Sequence, residues 1–426
     1  MQINWKSFPT DKMYPRFLVR NIFLIRFVVA SVLLLSSIRL LIFRLSDFLP
    51  SEIPLKDSAF FVQKYDFFIE NGWYESITVG ASPVFNALVW IVDLLVKDPY
   101  QSMKLLSMVS MVVTILIWVY FGKSVLRISS RYTYPFVSFL IYLAFYRNAF
   151  FSGTNDGLFC VFICLGIIFL FKSILNNSQL SLFGASFFFA LAFGTREIFV
   201  FYVPGITLIL ILLNLKSRIN AKSILGLIGV FLLTTFALYF PSLIENHTFK
   251  FADKSEAAGN WAEKNYLQVY LGENQISFQD VETFKNTNPD VTLPQTYSEA
   301  IFFNPKLTVS NFLRQLILIQ KPFVWQIGVL FLFLIGMTIW NIKKGGFLSL
   351  NVLAILLFIT FTFSFSILLI NRVEFRWFMV FPFLFSALTI SFIERNWQKY
   401  PLLEYMFLAN CLLISVLNFN LIGVWK

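Results

Sequence analysis

The residues able to do chemistry in this chain are few, and most of them stand at the borders of apolar runs. Asp156 lies in Gly153-Thr154-Asn155-Asp156-Gly157, between two such runs. A carboxylate there can hold a substrate hydroxyl or meet a second acid, or it can simply cap the helix that follows. Asp57 opens the aromatic-rich stretch Asp57-Ser58-Ala59-Phe60-Phe61. Under a cover of apolar side chains it could act as a general base, and in water it is a helix cap. Arg196 and Glu197 share a tight turn between apolar runs, where charges pair, snorkel or mark a site. Arg372, Glu374 and Arg376 precede Trp377, so a guanidinium could grip phosphate oxygens bidentately or anchor the chain at the interface.

Other chemistries lack the residues they need. The sequence holds a single histidine, His247, which excludes any mechanism requiring a histidine pair. Cys160 and Cys164 are one helical turn apart with no third ligand near in sequence, so they read as small core residues. No phosphate-cradling glycine loop, Gly-x-Ser-x-Gly elbow or Cys-x-x-Cys pair occurs. The expected chemistry therefore rests on carboxylates and guanidinium groups, with no cofactor. A divalent metal could use the same carboxylates, but no ligand set supports one.

The elements that must position these residues are membrane helices. The chain of 426 residues is 58% hydrophobic and only 13% charged, with 54 phenylalanines, too many for a globule of this length to hide from water. The apolar residues are expected to face acyl chains. The net charge of +11 comes from short clusters between apolar runs, a topology signal without the basic stripe of a nucleic-acid binder. A span needs about 20 mostly apolar residues. Eleven runs qualify, at 22–43, 102–121, 132–151, 157–172, 180–194, 198–214, 222–242, 322–341, 347–370, 377–393 and 401–422. The first run shows no cleavage pattern after it and reads as a retained anchor.

The apolar stretch 82–97 is short and carries Asp93. If it lies flat on the interface, the basic clusters Lys12/Arg16/Arg20, Lys123/Arg127/Arg131, Lys216/Arg218/Lys222 and Lys343/Lys344 all fall on one side, which the positive-inside tendency makes the cytoplasm. The fold class expected is thus all-α, a polytopic protein of about eleven spans, residues 1–426 forming one membrane domain with a cytoplasmic N-terminus. The outer side receives a first loop, 44–101, with amphipathic interfacial helices, and a long loop, 243–321. In the long loop, Asn286–Pro294 reads as irregular chain, and Trp261, Tyr266, Tyr270 and Tyr297 are candidates to stack on sugar faces, against the reading of a plain spacer.

The order of these features resembles the GT-C superfamily of membrane glycosyltransferases, in particular the branch of protein O-mannosyltransferases and lipid A aminoarabinose transferases. The similar elements are Lys56-Asp57-Ser58 after the first span, Asn71-Gly72-Trp73-Tyr74, the proline-led Ser82-Pro83-Val84-Phe85, Asn155-Asp156-Gly157-Leu158, Gly194-Thr195-Arg196-Glu197, and Arg376-Trp377-Phe378-Met379 with Pro382. The chain departs from the family pattern at Ser58, where a second acid would give a paired-carboxylate site, and in having no folded domain after the last span.

The resemblance implies a glycosyltransferase that moves a hexose or pentose from a polyprenyl-phosphate donor to a lipid, glycan or protein acceptor on the extracytoplasmic side. Inversion is expected from a single in-line displacement, and the bacterial look of the loops makes the expected location a bacterial inner membrane. It makes Asp57 the catalytic base and Arg376 a contact of the lipid-linked phosphate. Asp156, Arg196, Glu197 and Arg372 join the donor-binding set. Two other classes fit the spans and border charges: a transporter or flippase for a lipid-linked or anionic substrate, and a polysaccharide polymerase or ligase. Product length separates the last from single-sugar transfer.

Overall fold

A computed structural model of the chain describes residues 16–48, 57–146, 150–251, 259–273, 276–368, 370, 374–396 and 401–424. Among these, seventeen α-helices form and no strand does. In chain order they are α1 (Arg16–Phe48), α2 (Asp57–Thr78), α3 (Pro83–Val96), α4 (Pro99–Tyr120), α5 (Ser130–Tyr146), α6 (Asp156–Asn176), α7 (Gln179–Thr195), α8 (Val203–Leu215) and α9 (Ala221–Asn246). They continue with α10 (Trp261–Leu271), α11 (Phe278–Thr287), α12 (Tyr297–Phe303), α13 (Pro305–Ile327), α14 (Leu330–Lys343), α15 (Leu350–Ser366), α16 (Val380–Asn396) and α17 (Pro401–Val424). The chain is a polytopic, all-α membrane protein. Among the described residues, five helical stretches are long and apolar enough to cross a bilayer: Asn21–Phe43, Pro99–Val125, Asp156–Asn176, Glu197–Leu215 and Ala221–Asn246.

Local sequence sets the helix ends. Asp98 caps α4 by accepting from the Gln101 N–H at 3.0 Å, with Pro99 at the first helical position where a missing N–H does no harm. Ser178 caps α7 and Asn220 caps α9 in the same way. The flat reading of 82–97 gains a dimensional argument: α3 has 14 residues, about 21 Å of helix against a hydrocarbon core of about 30 Å. Its neighbour α2 kinks at Gly72 (φ 79°), inside the Asn71–Tyr74 turn.

One span departs markedly from its sequence boundaries. The run 322–341 is divided between α13 and α14 by a break at Gly328 (φ 57°). A side chain at that position would collide with Asn410 of α17. Asn410 mends the break, since its Nδ2 donates to the Ile327 carbonyl at 3.1 Å and its Oδ1 accepts from the Val329 N–H at 2.9 Å. Backbone groups freed at membrane depth need such a partner because no water supplies one.

The phenylalanines divide between lipid and interior. Phe23, Phe236 and Phe363 face outward, while Phe323, Phe358, Phe361, Phe378, Phe381 and Phe385 pack together, Phe323 against Phe358 with centroids 4.8 Å apart. Helices need dispersion contacts with one another as well as with acyl chains, since lipid offers no hydrophobic drive to pair them. Residues 261–303 form a separate small core of Tyr266, Leu267, Ile276, Val281, Leu293 and Ala300. Irregular chain runs through 288–296, as the Asn, Thr and Pro content of that stretch predicts.

Candidate active site

The site is assembled where α6 begins, α7 ends and α16 is about to start. The Ser152–Asn155 turn has to reverse the chain tightly, and Gly153 (φ 65°) provides the left-handed residue that an L side chain resists. It also lies against Lys104 of α4, since a Cβ there would stand 3.4 Å from Lys104 Cγ. Asp156 then opens α6, where the helix N-terminus favours a negative charge.

Asp156 is the hub. It is 1% exposed and forms ion pairs with Arg196 and, at 3.0 Å, with Nη1 of Arg376. The Thr154 hydroxyl donates to its Oδ2 at 2.9 Å. Arg376 reaches a second carboxylate, Glu374, through Nε. The turn itself is pinned, because Asn155 Nδ2 donates to the Thr195 carbonyl at 2.7 Å and the Ser82 hydroxyl donates to the Gly194 carbonyl at 2.9 Å. The proline-led α3, the Asp156 turn and the Arg196 turn are thereby locked to one another.

The remaining candidates fall out differently. The Ser58 hydroxyl donates to the Ser152 carbonyl at 2.6 Å, which sets the first turn of α2, opened by Asp57, against the Asp156 turn. Arg196 pairs across helices with Asp156, so its sequence neighbour Glu197 is left exposed at the head of a 3₁₀ turn, Glu197–Tyr202, outside this network. Arg372 lies outside the described residues. Of the four aromatic candidates in the long loop, Tyr266 is buried in its local core and Trp261 packs edge-on against Phe278 at 5.0 Å, while Tyr270 and Tyr297 are exposed.

Sequence reading passed over Lys104. It is fully buried, its Nζ lies 4.2 Å from the Tyr100 ring centroid, and among the described residues its ammonium has no hydrogen-bond partner. A lysine inside an apolar run was the signal that could have found it. With Lys104 beside the turn, three cations, Lys104, Arg196 and Arg376, gather around Asp156 and Glu374, and cations of this kind can attract an anionic substrate. Among the described residues no three His, Cys, Asp or Glu side chains come together. Both oxygens of Asp156 are engaged by guanidinium groups, so a metal ion there would have to displace an arginine.

Residues 80–240 match the model of a family described as dolichyl-phosphate-mannose-protein mannosyltransferase, a family of the GT-C superfamily. The matched stretch contains Lys104, Asp156, Arg196 and Glu197; Asp57 and Arg376 lie on either side of it. No curated protein matches the chain.

Proposed function

Starting from a membrane glycosyltransferase of the GT-C type, we propose that the Asp156 network binds a polyprenyl-phosphate sugar and that Asp57 is the base that activates an acceptor hydroxyl to receive the sugar. The observation that carries this reading is the meeting of Asp156, Arg196, Arg376 and Glu374 against the first turn of α2. A lipid-linked donor keeps its tail in the bilayer while its phosphate and sugar lie at the interface, which is where border arginines can reach them. The family description, which names dolichyl-phosphate-mannose, supports a donor of that class.

In the reaction proposed, Asp57 removes the proton from the acceptor hydroxyl as its oxygen attacks the anomeric carbon. The bond from that carbon to the phosphate oxygen breaks, and its electron pair leaves with the polyprenyl phosphate. Arg376 and Arg196, oriented by Asp156, neutralise the charge that develops there. One in-line displacement inverts the anomeric carbon. The basic clusters follow α4 and α8 and close α14, and the positive-inside tendency then supports a reaction on the outer face.

The test is sugar transfer from a panel of radiolabelled polyprenyl-phosphate sugars in membranes holding either the parent chain or Asp57→Asn, following donor hydrolysis and acceptor labelling together. Loss of a positioned base lowers the rate by about 100-fold to 10,000-fold. Donor turnover that persists in folded Asp57→Asn would overturn the assignment, and no turnover of any donor by the parent chain would favour transport.

A further inference from the structure

Three of the helices that build the Asp156 site meet again at their other ends. Lys172 is sixteen residues along α6 from Asp156, and Arg395 lies nineteen residues beyond Arg376, through α16. At about 1.5 Å per residue these are distances of roughly 25 Å, close to the opposite face of the bilayer. There α4 widens into a single π-helical turn, Phe121–Val125, and the chain turns at Arg127 (φ 58°). A widened turn of this kind opens space beside a helix and is common at functional sites.

The space is a cavity of about 640 Å³ lined by Tyr120, Ser124, Arg127, Lys172, Asn176 and Arg395 among others. A second cavity of about 410 Å³ shares Val125, Leu175 and Arg395 with it and extends past Asn341, Ser349 and Asn351, with Leu350 and Leu388 as apolar wall. Among the described residues, neither lining contains a carboxylate. The nearby Glu394 is committed to the Ser129 N–H at 2.7 Å. Two of the cations are held in place, Arg395 by donating from Nη2 to the Leu126 carbonyl at 2.8 Å and Lys172 by donating to the Tyr120 hydroxyl at 3.4 Å. A cluster that merely signals topology would need neither a shared cavity nor oriented side chains.

We infer that this pair of cavities binds a phosphate ester at the membrane surface, its phosphate among Arg127, Lys172 and Arg395 and its hydroxyl-bearing part beside Asn341, Ser349 and Asn351. Planar guanidinium groups match phosphate oxygens in pairs, and a lysine adds a point charge. Basic pockets between helices on this kind of face take anionic lipid headgroups. A free phosphate ester would present the same chemistry. The inference stands apart from the transfer reaction, since none of these residues touches the Asp156 network.

The test is native mass spectrometry of the delipidated full chain in detergent, titrated with dioleoyl phosphatidylglycerol, with dioleoyl phosphatidylcholine, and with phosphatidylglycerol in competition with sn-glycerol 1-phosphate. The parent chain is expected to hold phosphatidylglycerol at least tenfold more tightly than phosphatidylcholine. Each cation near the surface contributes about fivefold, so Lys172→Gln with Arg395→Gln should weaken phosphatidylglycerol by roughly 25-fold, and Arg127→Gln, whose side chain is exposed, by about fivefold. Displacement by millimolar glycerol phosphate assigns the site to a free ester, and resistance to it assigns the site to lipid. Equal retention of the two lipids by the parent chain, or unaltered phosphatidylglycerol binding in Arg127→Gln and in a double variant of parent-like melting temperature, would overturn the inference.

Discussion

Arg376 shows how much a single side chain is asked to do. Its Nε serves Glu374 and its Nη1 serves Asp156, so one planar group spans two carboxylates. A lysine offers a point charge and cannot hold both in that geometry. Arg376→Lys is therefore expected to lower sugar transfer by about 100-fold or more, nearly as much as Arg376→Ala, read as initial rates on the donor that the parent chain uses. A lysine variant with near-parent rates would reduce Arg376 to a provider of charge. By contrast, Ser58→Ala removes one neutral hydrogen bond worth about 1 kcal/mol and should leave transfer within a few-fold. Much at this scale was legible in the sequence: Asp156, Arg196 and Arg376 were marked by their places at span borders. Which partner each would take was not, because Arg196 could as well have paired with its neighbour Glu197. The choice of Asp156 depends on how α6 and α7 pack, a relation between helices that neither turn encodes. Lys104 escaped for a related reason, since its importance comes from Gly153 lying on its stem.

Among the elements, the segment 261–303 carries an interior that its sequence reading, a cover or a plain spacer, did not include. Its helices α10, α11 and α12 enclose a small core, and a nearly buried Glu263 is held at 2.7 Å by Lys285 and at 2.6 Å by Gln295 Nε2. Lys285→Ala would strip a buried carboxylate of its cation, at a cost of about 1 to 3 kcal/mol. The expected outcome is faster proteolysis within 261–303 with the membrane helices unaffected. The hydrogen bond to Glu263 raises the pKa of Lys285 above its ordinary value. A raised lysine pKa gives stability that is complete below the unfolded value, about 10.4, and is lost as pH rises through the folded value. At the other end, the Ser277 hydrogen bonds lower the pKa of Asp280 in the cap of α11. That contribution is present above the ordinary aspartate value, about 3.9, and is lost as pH falls below it. The protection of α11 against hydrogen exchange, taken relative to the intrinsic rate at each pH, should thus be greatest between these limits and should fall on both sides. The pattern of Ser, Asp, Thr and Asn here predicts caps and turns well. The small core was hidden because its apolar members are spread over 35 residues with no single period.

At the scale of the whole molecule, the bundle is closed by contacts between its two ends. Arg26 of α1 is 3% exposed and forms an ion pair with Glu404 of α17 through both Nε and Nη2, and Tyr132 of α5 donates to the same carboxylate at 2.8 Å. Removing one partner of a buried pair costs about 3 to 5 kcal/mol, so Glu404→Ala should unfold at markedly lower denaturant in micelles. Arg26→Met combined with Glu404→Leu should recover most of the loss, and equal behaviour of the single and double variants would count against a coupled pair. Hydrophobic runs made the spans legible, but two residues separated by 378 positions leave no local trace of their pairing. Both this pair and the break at Gly328, mended by Asn410, depend on α17. During synthesis at about 5 to 20 residues per second, roughly 20 to 75 seconds separate Arg26 from Glu404. Over that interval α1 must shelter its guanidinium elsewhere, and later the opened backbone at Gly328 must wait as well. Arrival of α17 is thus the step that commits the nascent bundle, and a ribosome stalled before it would leave behind an assembly that membrane quality control can recognise by its exposed charge.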